Sequence, residues 1–168
     1  MHLVEDDLVR WGRTIGRRVE GPVFLALRGP LGAGKSVLAR AIARGAGVES
    51  AIPSPTFNLL FRYPLPGEGE LVHLDLYRLA DPEEVWELGW EELGTGNQIV
   101  LVEWPERAER FLPSDRWDVR LDPVAADVFS RRISVDRVGS PPDLPSFPLS
   151  VASTPRPQQS LPFPDSEQ

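Results

Sequence analysis

The chain has 168 residues, 41% hydrophobic and 26% charged, which suits one domain with a sizeable core. No cysteine and only two histidines are present, which excludes disulfide frameworks, thiolate zinc sites and cysteine nucleophiles and points any metal chemistry to oxygen ligands such as those of Mg²⁺. A net charge of -7 argues against tight unaided binding to nucleic acid, because that affinity comes from neutralising phosphates, so any RNA contact is expected only indirectly, through a partner.

Glu5, Asp6 and Asp7 stand where a secretory leader would carry basic and then apolar residues. No window approaches the length of a membrane span, so a cytoplasmic location without membrane contact is expected. Leu8, Trp11, Ile15 and Val19 recur on one face of a helix from about Glu5 to Arg18, whose acidic first turn and basic last turn complement the helix dipole.

Val23-Phe24-Leu25-Ala26-Leu27 is an apolar run of strand length, as in a buried parallel strand. It leads into Gly29-Pro30-Leu31-Gly32-Ala33-Gly34-Lys35-Ser36, which fits the phosphate-binding loop G-x-x-x-x-G-K-[ST]. A phosphate chain needs many donors at short range, and a curled loop of backbone N–H groups supplies them. Leu31, Gly32, Ala33, Gly34, Lys35 and Ser36 are therefore the candidate triphosphate-binding residues. Lys35 is placed to reach the β and γ phosphates, and the Ser36 hydroxyl to ligate Mg²⁺. Lys35 is also the single lysine beside seventeen arginines. A slim ammonium threads between phosphates where a planar guanidinium does not fit. Val37, Leu38, Ala41 and Ile42 continue a helix through Ala46, and Gly47 stands where it would stop.

Ser54-Pro55-Thr56 reads as a turn, and in a P-loop protein Thr56 is a candidate sensor of the γ-phosphate. A strand is expected over residues 57–63, and another over Leu71-Val72-His73-Leu74-Asp75, ending in a carboxylate. His73 reads as a strand residue rather than a ligand, having no metal-spaced partner. Asp81-Pro82-Glu83-Glu84 has the pattern of a helix start. Ile99-Val100-Leu101-Val102-Glu103 is a second apolar strand ending in an acid, in the manner of a Walker B strand. Trp104 follows as a candidate wall of the site. Asp75 and Glu103 compete for the metal, and their spacing does not rank them.

Residues 116–121 and 129–135 alternate like an antiparallel hairpin extending the sheet edge. From Gly139 to Gln168, eight of thirty residues are proline, which predicts a disordered Pro/Ser-rich tail. The expected division is thus a P-loop ATPase domain over 1–138 and a tail over 139–168. The domain should be α/β, with a mostly parallel central sheet flanked by helices and an antiparallel hairpin at the edge.

Taken together, the phosphate loop, Ser54-Pro55-Thr56, His73-Leu74-Asp75-Leu76-Tyr77-Arg78-Leu79 and Leu101-Val102-Glu103-Trp104-Pro105-Glu106-Arg107 resemble the TsaE family, over about residues 5–137. The resemblance implies a Mg²⁺-dependent ATPase that supports threonylcarbamoylation of tRNA adenosine 37 by a TsaB–TsaD complex. It further implies that Ser36 and Glu103 hold Mg²⁺, that Asp75 orients water, that Thr56 responds to the γ-phosphate and that Trp104 lies beside the nucleotide. The alternatives on the same fold are a small-molecule kinase and a nucleotide-sensing regulatory module. The N-terminal segment near Leu3 is a candidate for reading the base.

Overall fold

The computed structural model describes residues 2–53, 59–125 and 127–147. Its strands are β1 (His2–Val4), β2 (Val23–Arg28), β3 (Leu60–Pro64), β4 (Glu70–Asp75), β5 (Gln98–Glu103), β6 (Arg116–Val124) and β7 (Asp127–Val138). Two α-helices, α1 (Glu5–Arg18) and α2 (Lys35–Ala46), lie between the early strands. One sheet holds the strands in the order β1-β7-β6-β2-β5-β4-β3.

Parallel pairing joins β6 to β2, β2 to β5 and β5 to β4. Antiparallel pairing adds β3 at one end, and β7 then β1 at the other. β2 is buried between two parallel neighbours, which is why its sequence is continuously apolar rather than alternating. The β6–β7 hairpin does extend the sheet, but the short strand β1 pairs outside it and forms the edge.

The two faces of the sheet are covered differently. Leu8, Trp11 and Ile15 of α1 and Leu38 and Ile42 of α2 pack on Leu25, Leu27, Leu71 and Leu101. On the opposite face, Phe24, Ala26, Val72, Leu74, Val100 and Val102 lie with Val85, Trp90 and Ala108 from 3₁₀ turns. Each side chain of this size contributes about 1.5–3 kcal/mol on full burial. α1 and α2 approach closely because glycines face their contact. A Cβ on Gly16 would lie 2.0 Å from the Ile42 carbonyl oxygen, and one on Gly45 would lie 2.2 Å from that of Arg13.

The structure refines three of these expectations. The helix start at Asp81 is real, with the Asp81 carboxylate accepting from the Glu83 amide and Glu84 accepting from the Asp81 amide, but the segment Pro82–Leu88 is a 3₁₀ helix. Leu3 is 1% exposed and belongs to the core, so its side chain is not available to read a base. Of the expected tail, residues 139–147 lie against the domain, and 148–168 lie outside the described residues. The Trp117 indole donates to Pro142 O (2.8 Å), the Trp11 indole donates to Pro145 O (3.0 Å), and Phe147 stacks on Trp11 at 4.3 Å between centroids. Aromatic residues in the domain thus offer both indole donors and an apolar surface, and a proline-rich strap with free carbonyls satisfies them.

Candidate functional site

β2 ends at Arg28, and residues 29–34 curl back to start α2 at Lys35. The curl depends on Gly29, whose φ is 134° and whose hypothetical Cβ would lie 2.1 Å from the Leu121 carbonyl oxygen. Gly34, at φ 102°, is the N-cap of α2 and supplies no side-chain cap. The first amides of the helix therefore lack the usual side-chain acceptor, the arrangement that suits an incoming anion. A cavity of about 310 Å³ opens here, lined by residues 31–37 on one side and by Asp75, Tyr77, Arg78, Glu103 and Trp104 on the other.

Parallel pairing brings the two acids together. β4 and β5 run in register, with Asp75 opposite Glu103 and His73 opposite Leu101. Glu103 is 2% exposed. Its Oε2 accepts from the Ser36 hydroxyl at 2.8 Å, and its Oε1 lies 2.9 Å from Nε2 of His73. A buried carboxylate requires such partners, because leaving either oxygen unpaired costs its full desolvation.

Lys35 is also buried, and its Nζ donates to Gly29 O (2.6 Å) and Pro30 O (2.9 Å). Burial lowers its pKa from the ordinary lysine value, and nearby Glu103, Glu106 and Asp75 oppose that shift. Burial raises the pKa of Asp75 above the usual carboxylate value, partly offset by the Tyr77 amide, which donates to Oδ1 at 2.9 Å. Trp104 has φ 58°, and its indole packs against Tyr77 at 4.8 Å between centroids.

Lys35, Ser36, Asp75, Glu103, Trp104 and the loop residues Leu31, Gly32, Ala33 and Gly34 thus line one cavity. Thr56 lies outside the described residues. Reading the sequence alone missed Tyr77 as a wall residue and His73 as a partner of Glu103. A signal for His73 existed, since it stands two residues before Asp75 in an alternating strand and therefore shares its face.

A phosphate loop between a buried parallel strand and a helix, with acids from two neighbouring strand ends across the cavity, defines a P-loop nucleotide-binding protein. The family model "Threonylcarbamoyl adenosine biosynthesis protein TsaE" matches residues 4–133, and the chain belongs to that family. It is 39% identical over 107 residues to the tRNA threonylcarbamoyladenosine biosynthesis protein TsaE of Treponema pallidum, an alignment covering 64% of this chain and 78% of the relative. Identity to the TsaE of Haemophilus influenzae is 34% over 123 residues, covering 70% and 77% respectively. For the Mycobacterium tuberculosis TsaE (strain H37Rv) it is 39% over 127 residues, covering 71% and 76%. The crystal structure of Bacillus subtilis YdiB superposes with a TM-score of 0.66 at 27% identity, covering 83% of this chain and 84% of that one. Among the described residues no helix is long and apolar enough to cross a membrane.

Proposed function

We propose that this chain binds and hydrolyses ATP with Mg²⁺ in the cytoplasm, and that it does so in support of threonylcarbamoylation of tRNA adenosine 37 by a TsaB–TsaD-type complex. The observation that carries the reading is the convergence of Lys35 and Ser36, at the start of α2, on Glu103 and Asp75 in one cavity.

The donor set fits Mg²⁺. Among the described residues no group of three or more His, Cys, Asp or Glu side chains is placed to hold a metal, and Mg²⁺ does not need one, taking one or two protein oxygens and completing its shell with phosphates and water. Ser36 Oγ and Glu103 Oε2 would be those oxygens. The ion would neutralise charge on the triphosphate. The loop amides would hold the phosphates, Lys35 would place a positive charge on the β and γ groups, and Trp104 would wall the nucleotide. Asp75 would orient the attacking water, its carboxylate held by the Tyr77 amide. Thr56 would respond to the γ-phosphate.

Hydrolysis by the isolated protein should be slow. An arginine supplied by a partner is worth about 10³–10⁵ in rate in related chemistry. The test is ATP hydrolysis in Mg²⁺ by the protein alone and with TsaB–TsaD, with Lys35→Ala as the blank. Stimulation that vanishes in the variant supports the reading. ATP binding without stimulation shifts it to a small-molecule kinase or a nucleotide-sensing module.

A further inference from the structure

We propose that His73 is a positioning residue for Glu103, holding the carboxylate in the plane from which its other oxygen meets Ser36. The inference rests on the reading of Glu103 as the magnesium-side carboxylate.

Both side chains are about 2% exposed. They come from neighbouring strands and meet only because β4 and β5 are in parallel register. The two oxygens of Glu103 have different partners, Ser36 Oγ at 2.8 Å and His73 Nε2 at 2.9 Å. A single hydrogen bond leaves a carboxylate free to rotate about its terminal torsion, which is a broad well. Two bonds, one on each oxygen, fix that rotation. The ring must then carry its proton on Nε2 to donate to Glu103.

The neighbouring positions Leu71, Val72 and Leu74 are aliphatic and fully buried, so the imidazole answers to Glu103 rather than to the packing of the sheet, and removing one partner of a buried pair leaves the other uncompensated. The imidazole stands on β4 where its Nε2 reaches the far oxygen of Glu103. This is the relation that ligand carboxylates bear to the groups that orient them, and loss of such a group typically weakens metal affinity about 10–100-fold.

The experiment uses the full chain and a fluorescent ATP analogue, with binding measured in EDTA and then against Mg²⁺ for wild type, His73→Leu and His73→Gln. His73→Leu should raise the half-saturating Mg²⁺ concentration about tenfold while leaving the affinity in EDTA unchanged. His73→Gln, whose amide N–H extends to the same reach as Nε2, should recover most of the loss. An unchanged Mg²⁺ requirement in His73→Leu, or equal losses with and without Mg²⁺, overturns the proposal while leaving the nucleotide site intact. Wild-type binding indifferent to Mg²⁺ overturns the metal reading and the role of His73 with it. A measurement without substitution guards against variants that do not fold: ¹⁵N spectra of the ring, in a chain with two histidines, should show the His73 proton on Nε2. A proton on Nδ1 alone overturns the proposal.

Discussion

The indole of Trp104 covers the ammonium of Lys35, with Nζ 3.7 Å from the ring centroid. The same ammonium is held by two carbonyls of its own loop, so the phosphate-seeking charge is satisfied internally by a cation–π contact and two hydrogen bonds. An entering phosphate must replace those carbonyl contacts beneath the ring. Trp104 should therefore report nucleotide binding. Of the five tryptophans, it is the one that lines the cavity, and Trp104→Phe should abolish most of the fluorescence change caused by ATP. A full response in that variant would show that the ring does not sense the site.

The backbone of Trp104 makes a separate prediction. At φ 58° it lies in the left-handed region, which costs a residue with a Cβ roughly 1–2 kcal/mol. Trp104→Ala and Trp104→Gly both lose the indole, but only glycine relieves the backbone. The Gly variant should be the more stable of the two by about 1 kcal/mol in urea unfolding. Equal stabilities would mean that the conformation carries no strain.

Asp75 contributes to the pH dependence of stability. Burial raises its folded pKa above 3.8, so in the window between those two values the folded state binds more protons than the unfolded one. Stability from this group is present below 3.8 and is lost as pH rises through the raised value. Asp75→Asn does not titrate and keeps an acceptor for the Tyr77 amide. Its stability relative to wild type should therefore increase with pH across the window and level off above it. A difference that does not change with pH would remove burial as the governing effect.

Gly16→Ala tests the contact between α1 and α2. Helix propensity alone would favour alanine by about 1 kcal/mol. The added Cβ, however, meets backbone atoms of α2 at 2.0 and 2.5 Å, which cannot rotate away as a side chain could, and overpacking of this kind costs about 1–3 kcal/mol. Parting the helices would also unpack Leu8, Ile15 and Ile42. We expect a net loss of about 2 kcal/mol, measured by thermal or urea unfolding. A stabilised variant would show that the helices are not held in close contact.

Phe147→Ala tests the strap. The ring is partly buried and stacked on Trp11, which is itself 1% exposed. Removing it should cost about 2 kcal/mol, below the 3–5 kcal/mol of a fully buried phenylalanine. No change in stability would mean that the stacking of Phe147 on Trp11 adds nothing to the domain.

The physics that makes a segment legible in the sequence is local. Residues 29–36 declare a phosphate loop because glycine torsions, amide density and one slim cation must be adjacent in the chain to work. The first helix shows in the spacing of Leu8, Trp11 and Ile15, the helix after the loop in its apolar face ending at Gly47, and β2 and β5 in their unbroken apolar runs. The acid at each strand end was visible for the same reason.

Proline-rich composition measures what a segment cannot do by itself. It does not register that Trp11 and Trp117, more than a hundred and about twenty-five residues away in sequence, each lack an acceptor that Pro145 and Pro142 provide. His73 was passed over for a related reason. Its meaning depends on the register between β4 and β5, which is set by backbone pairing across 30 residues. The sequence alone determined a P-loop α/β domain and the position of its loop, since those properties reside in contiguous stretches. Only tertiary structure decided that His73 grips Glu103, that Trp104 covers Lys35 and that the proline strap closes over α1, because each depends on two distant segments meeting at a few ångströms.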